Sequence, residues 1–162
     1  LDRGEKAIQA QAELIAKKIN GKLPIIYCDG RIEAMAVRFQ NQLNENSKHM
    51  AHVNTFPEMN HNEIVGWEHP ASVLAQSQVI YLYTDHDHVR VEKRMELCRD
   101  IFKKKSNPII DIVGEGASLL EQYYHLIHLT DWISYYLAIE NKVDPNPVEV
   151  IMYLKGELEK IK

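Results

Sequence analysis

Apolar positions along the chain alternate between a helical period and unbroken runs. Ile8, Ala12, Ile15 and Ile19 fall at i, i+4, i+7 and i+11, one stripe of an amphipathic helix, and Asn20-Gly21 supplies its stop. Leu23 to Cys28 then reads as a buried strand that ends at Asp29-Gly30. Ile32, Met35, Ala36, Phe39 and Leu43 lie on one face of a second helix that should end near Asn46. The alternation repeats. Met50 to Phe56 and Val79 to Tyr83 are predicted strands, Val89 to Lys104 a helix with Val91, Met95, Cys98 and Phe102 inward, and Ile109 to Val113 another strand. Residues 117–141 are helical and apolar on most sides, and Pro147 stands where a last helix would begin.

Strands that are apolar throughout, separated by helices, predict a sheet covered on both faces. The expected class is α/β, a three-layer, doubly wound, mainly parallel sheet with a long C-terminal helical segment. In such sheets the turns at the carboxyl ends of strands gather ligands, and here those turns are Asp29-Gly30-Arg31, Thr84-Asp85 and Gly114-Glu115-Gly116. None completes a dinucleotide fingerprint or a Walker loop.

At 162 residues and 45% hydrophobic content, the chain suffices for one domain with a full core. Its formal charge of −4 comes from dispersed acids and bases, which argues against a surface that must neutralise nucleic-acid phosphates. Lys103-Lys104-Lys105 is the one basic run, and it fits the polar end of a helix. Cys28 and Cys98 are far apart in apolar contexts, as expected of reduced thiols in the cytoplasm. No apolar run approaches the ~18 residues of a membrane span, and the opening residues lack the pattern of a signal peptide. The chain opens with Leu1 rather than Met, directly into a helical pattern, which suggests a piece of a longer polypeptide.

Three residues carry candidate chemistry. Glu45 lies at the carboxyl end of the second helix, where the helix dipole disfavours negative charge and favours a base poised nearer neutrality. An exposed glutamate at a frayed helix end is the ordinary alternative. His61, between Asn60 and Asn62, could have its ring fixed by hydrogen bonds, or be a surface histidine in a loop. Lys155 projects from the middle of the apolar stripe of Val148, Ile151, Met152 and Leu158, so its amine must snorkel or enter a polar pocket. Other clusters favour structural roles. In Asp85-His86-Asp87-His88 the two histidines at i and i+2 would point to opposite sides of an extended segment, a poor chelate. His125 and His128, among Tyr123, Tyr124, Trp132, Tyr135 and Tyr136, suit a packing or subunit surface.

The stretches Gln42-Leu43-Asn44-Glu45-Asn46-Ser47-Lys48, Phe56-Pro57-Glu58-Met59-Asn60-His61-Asn62-Glu63-Ile64-Val65-Gly66-Trp67 and Val143-Asp144-Pro145-Asn146-Pro147-Val148-Glu149 with Leu154-Lys155 resemble the bacterial and archaeal bifunctional phosphoglucose/phosphomannose isomerases. Those enzymes have two sugar-isomerase (SIS) domains of flavodoxin-like architecture in tandem, and residues 1–162 resemble the second. The resemblance implies aldose–ketose isomerisation of glucose-6-phosphate and mannose-6-phosphate to fructose-6-phosphate through an enediol(ate). It implies that Glu45 is the catalytic base, that His61 opens the sugar ring, in the same chain or across a homodimer, and that Lys155 is an active-site lysine. No cofactor or metal is implied, because a fixed cation and hydrogen bonds can stabilise the enediolate. That cation, an arginine, and the loop that binds the sugar phosphate belong to the N-terminal SIS domain. The alternative is a non-catalytic SIS module that binds a phosphosugar or only dimerises.

Overall fold

The computed structural model describes residues 2–161. Its elements are α1 (Asp2–Ile19), β1 (Leu23–Asp29), a 3-10 turn (Gly30–Ile32), α2 (Glu33–Ser47), β2 (His52–Phe56), a second 3-10 turn (Glu58–Asn60), α3 (Glu63–Gly66), α4 (Ala71–Ala75), β3 (Ser77–Tyr83), α5 (Val89–Phe102), β4 (Ile110–Val113), α6 (Leu119–Glu140) and α7 (Glu149–Leu158). The four strands are parallel in the order β2-β1-β3-β4, with Ile25 of β1 opposite His52 and Ile26 opposite Ile80. β1 and β3 have neighbours on both sides, and they carry the most continuous apolar runs. β4 is an edge strand in which buried Ile110 and Ile112 alternate with exposed Asp111 and Val113.

Because side chains alternate along a strand, each strand feeds two cores. Ile26 and Cys28 of β1, with Ile80 and Leu82 of β3, face α1, α2 and α6. Ile25, Tyr27, Val79 and Tyr81 face the other way, against Phe56, Met59, Trp67, Leu74 and the Val91/Met95/Cys98/Phe102 stripe of α5. The result is the expected three-layer, doubly wound α/β sheet, with its switch point between β1 and β3. The second core is aromatic. Phe102 is fully buried, stacks on Tyr27 with ring centroids 5.4 Å apart, and lies 4.4 Å from Trp67. Trp67 Nε1 donates to the Tyr27 hydroxyl at 2.9 Å. Both cysteines are buried free thiols.

β2, the segment before β3 and α7 depart from the sequence reading for physical reasons. β2 starts at His52 rather than Met50, because Met50 is 80% exposed and Ala51 sits in the turn that leaves α2. Two short helices, α3 and α4, occupy residues that pattern alone left unassigned, since neither is long enough to show a period. α7 begins at Glu149, two residues after Pro147, and has no buried residue along its length. Among the described residues no helix is long and apolar enough to cross a membrane.

Glu63 ties the outer edge of the sheet to α3. Its carboxylate accepts from Tyr27 Oη, from Asn54 Nδ2 and, at 3.0 Å, from His52 Nε2. Burial pushes the Glu63 carboxyl up, but the bonds from His52, Asn54 and Tyr27 outweigh it and hold the group below the usual carboxylate range. The same bond raises the His52 imidazole above its ordinary value.

Phe102→Ala should lower unfolding free energy by about 3–5 kcal/mol, read by urea denaturation, since the ring is fully buried among Tyr27, Trp67 and Tyr81. The His52–Glu63 pair adds a pH signature. The raised histidine stabilises fully below its unfolded value of about 6.5 and loses this as pH rises through its folded value. The lowered glutamate stabilises above its unfolded value of about 4.3 and loses this as pH falls. His52→Ala should therefore cost most near pH 5–6, by less than about 1 kcal/mol for a pair this exposed, and little above pH 8.5.

Candidate functional site

The last turn of α2 carries the Asn44-Glu45-Asn46-Ser47-Lys48 segment, and four of its five residues have traceable structural or lining roles around the fifth. Asn46 Nδ2 donates to Ser134 Oγ at 2.9 Å and Ser47 Oγ to the Ser134 carbonyl at 2.7 Å, which fastens α2 to α6. Lys48 caps the helix in the left-handed conformation, with φ 52°, and its N–H closes on the Leu43 carbonyl. A non-glycine residue there costs about 1–2 kcal/mol, so the surroundings must impose it. The Lys48 ammonium donates to the carbonyls of Glu45 at 2.6 Å and Pro145 at 3.2 Å, bridging the helix end to the segment after α6. Asn141, the C-cap of α6, donates from Nδ2 to the Ser47 carbonyl and to His49 Nδ1, each at 3.0 Å, and accepts from Asn20 Nδ2 at 3.0 Å. His49 Nε2 lies 2.7 Å from the Lys22 carbonyl.

These bonds place Asn44 and Glu45 on the wall of a cavity of about 670 Å³. Lys48, His49 and Met50 continue that wall, and Val143, Asp144, Pro147 and Val148, with Glu149, Val150 and Ile151 from the start of α7, form the opposite one. Three carboxylates line it, and Lys48, the one Lys or Arg among the lining residues, already serves two carbonyls. A carboxylate on an accessible, mostly apolar wall can exchange a proton with a bound ligand. An anionic end of that ligand would need a cation from outside these residues.

His61 is elsewhere. It follows β2, at the carboxyl end of the sheet, whereas α2 runs back so that Glu45 lies at the amino end. β2 alone spans about 16 Å, and the turn of His61 packs through Met59 on the face opposite α2. The imidazole is exposed, on a turn held by Asn62, whose Oδ1 accepts from Glu63 N at 2.6 Å and whose Nδ2 donates to Glu58 Oε1 at 3.1 Å. Lys155 is exposed on α7, one turn beyond Ile151 and outside the cavity lining. With no layer beneath the apolar stripe of α7, its amine is forced neither to snorkel nor to enter a pocket. One chain therefore brings Glu45 to the first turn of α7, but does not bring His61 or Lys155 to Glu45.

The switch point between β1 and β3, where the turns should gather a ligand, is laced by the protein's own bonds. Asp29 accepts from Arg31 N and His88 N, both at 2.9 Å, while Arg31 Nη1 donates to the His86 carbonyl at 2.8 Å. Thr84 Oγ1 donates to Asp87 Oδ1 at 2.6 Å, and Gln122 exchanges bonds with Asp85 N and Oδ2. Burial raises the Asp87 carboxyl. Gly116 is required by backbone and packing, since its φ is 144° and a Cβ there would lie 2.5 Å from Glu121 Cβ. His88 caps α5, accepting from Arg90 N at 3.1 Å. His125 Nδ1 accepts from Glu115 N, and His128 Nε2 from Trp132 Nε1, so each ring has one nitrogen engaged within the chain. Among the described residues no three His, Cys, Asp or Glu side chains converge as metal ligands.

Sequence reasoning gave no part to His49 or Ser134, and treated Asn20 and Asn141 only as helix ends. The 92 residues that separate His49 from Asn141 leave no local signal of their meeting.

Known proteins resemble this chain along most of its length. Residues 8–158 match the family described as the bacterial phospho-glucose isomerase C-terminal SIS domain. The bifunctional phosphoglucose/phosphomannose isomerase of Caldicellulosiruptor bescii is 41% identical over 152 residues, covering 93% of this chain and 45% of that protein. The enzyme of the same name from Aquifex aeolicus is 35% identical over 96% of this chain and 48% of its own length. The chain thus spans about half the length of these curated relatives. A glucose-6-phosphate isomerase like protein from Thermus thermophilus superposes with a TM-score of 0.69 at 20% identity, over 83% of this chain and 44% of its own. Glucosamine-6-phosphate deaminase from Thermotoga maritima does so with a TM-score of 0.62 at 13% identity, over 86% and 43%. At these identities the structural matches speak for the fold, and it is the sequence match along nearly the whole chain that places it in the family of bacterial phosphoglucose isomerase C-terminal SIS domains.

Proposed function

We propose that this chain is the C-terminal SIS half of a cytoplasmic phosphosugar isomerase that interconverts glucose-6-phosphate or mannose-6-phosphate with fructose-6-phosphate through an enediol(ate). Glu45 is the base that carries a proton between adjacent sugar carbons, and His61 and Lys155 assist ring opening by giving or polarising a proton at the ring oxygen. The observation that carries this reading is the placement of Glu45 on the cavity wall, on a helix end anchored by Asn46, Ser47 and Lys48. The names of the relatives support the substrate class.

The acidic lining fits a division of labour. This half handles the sugar carbons, and the N-terminal SIS half supplies the cation and the phosphate loop. A low-dielectric cavity makes such a cation effective against a developing enediolate. The distance between His61 and Glu45 within one chain favours a homodimer in which the imidazole of one copy serves the carboxylate of the other. A non-catalytic binding or dimerisation module is the second reading. It is favoured by the exposed apolar length of α7, where Val150 is 80% and Tyr153 70% exposed.

In the complete polypeptide, Glu45→Gln should cut turnover by at least about 10²–10⁴-fold, with little change in affinity for fructose-6-phosphate by calorimetry. Wild-type turnover in that variant would leave only the binding module. Mixing Glu45→Gln with His61→Asn subunits tests the shared site. Random pairing about a two-fold axis should restore about a quarter of wild-type activity, whereas a site built within one chain would stay dead.

A further inference from the structure

We propose that Asn141 is a positioning residue for Glu45. From the end of α6 it fixes the left-handed turn at Lys48, and with it the last turn of α2, through a neutral His49 in the Nε2–H form. This rests on the reading of Glu45 as the base, and adds how that base is held.

Two backbone carbonyls fix every proton in the cluster. The Ser47 carbonyl can only accept, so the Asn141 atom 3.0 Å from it must be the amide nitrogen. That nitrogen is also 3.0 Å from His49 Nδ1, which must therefore accept. The Lys22 carbonyl, 2.7 Å from Nε2, then requires the ring proton on Nε2. With its nitrogen so placed, Asn141 turns its oxygen to Asn20, which must donate. Three helix ends and the start of β1 are thus joined by one directional set of bonds. A proton added at Nδ1 would face the donating amide, and a carboxylate in place of Asn141 would face the Ser47 carbonyl.

Asn141, Ser47, Asn20 and Lys22 lie behind the cavity wall, which His49 alone of the cluster reaches. The helix ends at Lys48 and at Lys142 are both left-handed, with φ 52° and 58°. The two turns they open lead to opposite cavity walls, through Met50 on one side and Val143 to Val148 on the other. Lys48 and Pro145 join the same two segments by the ammonium–carbonyl bond. Asn141 therefore sets the spacing between the carboxylate and the opposite wall without touching a ligand. A shift of about 1 Å in such a group can cost as much as 10²-fold in rate.

The test has two arms. On the unaltered chain, ¹⁵N NMR should show His49 as the Nε2–H tautomer, and in Asn141→Ala the amide hydrogens of Lys48 and His49 should exchange at least about 10-fold faster. In the complete polypeptide, Asn141→Ala and Asn141→Asp should lower kcat by about 10–100-fold with KM within about threefold. His49→Leu should do the same, while His49→Asn, which can keep an acceptor near the Nδ1 position, should recover most of the loss. An Nδ1–H tautomer, or unchanged exchange, overturns the lock. Faster exchange with wild-type kcat overturns the positioning role. Wild-type turnover in Glu45→Gln is the separate result that overturns the isomerase reading itself.

Discussion

In a parallel sheet every strand runs the same way, so every helix must run back, and helix ends and strand ends collect at opposite edges. That constraint governs where the candidate residues lie here. The β1-to-β2 crossover carries α2 from the carboxyl edge to the amino edge and delivers Glu45 there. β2 then returns to the carboxyl edge and delivers His61. Two residues only sixteen apart in sequence are thereby held at opposite edges and on opposite faces. No side-chain rotation can bring them together, so a reaction that needs both requires a second body.

The same constraint explains why the amino edge holds the cavity. α1, α2 and α6 all end there, each with unsatisfied carbonyls in its last turn. Asn141 and Lys48 meet two of those carbonyls in α2 directly, at Ser47 and Glu45. The helix ends are close enough to share such groups, yet splayed enough to leave space under the connection to α7. At the carboxyl edge the polar groups are spent within the fold: Asp29 accepts from the Arg31 and His88 amides, Arg31 donates to the His86 carbonyl, Asp87 accepts from Thr84, and Gln122 pairs with Asp85. The switch-point rule for open α/β sheets describes where turns converge. Whether the convergence stays open depends on the side chains, and here acidic and amide groups bond across it.

α7 is the exception to the layering. A helix with no buried residue and exposed Val150, Met152, Tyr153 and Leu154 draws little stability from packing on this chain. Its first turn lines the cavity, so the position of α7 also shapes the site around Glu45.

The layers were readable from sequence because burial imposes a period. The α5 stripe of Val91, Met95, Cys98 and Phe102 is buried as its spacing predicts, and the unbroken run of β1 reflects a strand with neighbours on both sides and helices above and below. Glu45, His61 and Lys155 could be singled out because each breaks a local pattern or matches a motif. Their separation could not be read, since it arises from the direction of strands rather than from any residue. Nor could the bonds linking Asn141 to Ser47, His49 and Asn20, for hydrogen bonds across 92 to 121 residues carry no periodic trace. What the chain's own pattern determined was which faces are buried. Which polar groups meet was decided only when the helices packed, because directional bonds form between whatever neighbours the packed layers bring within about 3 Å.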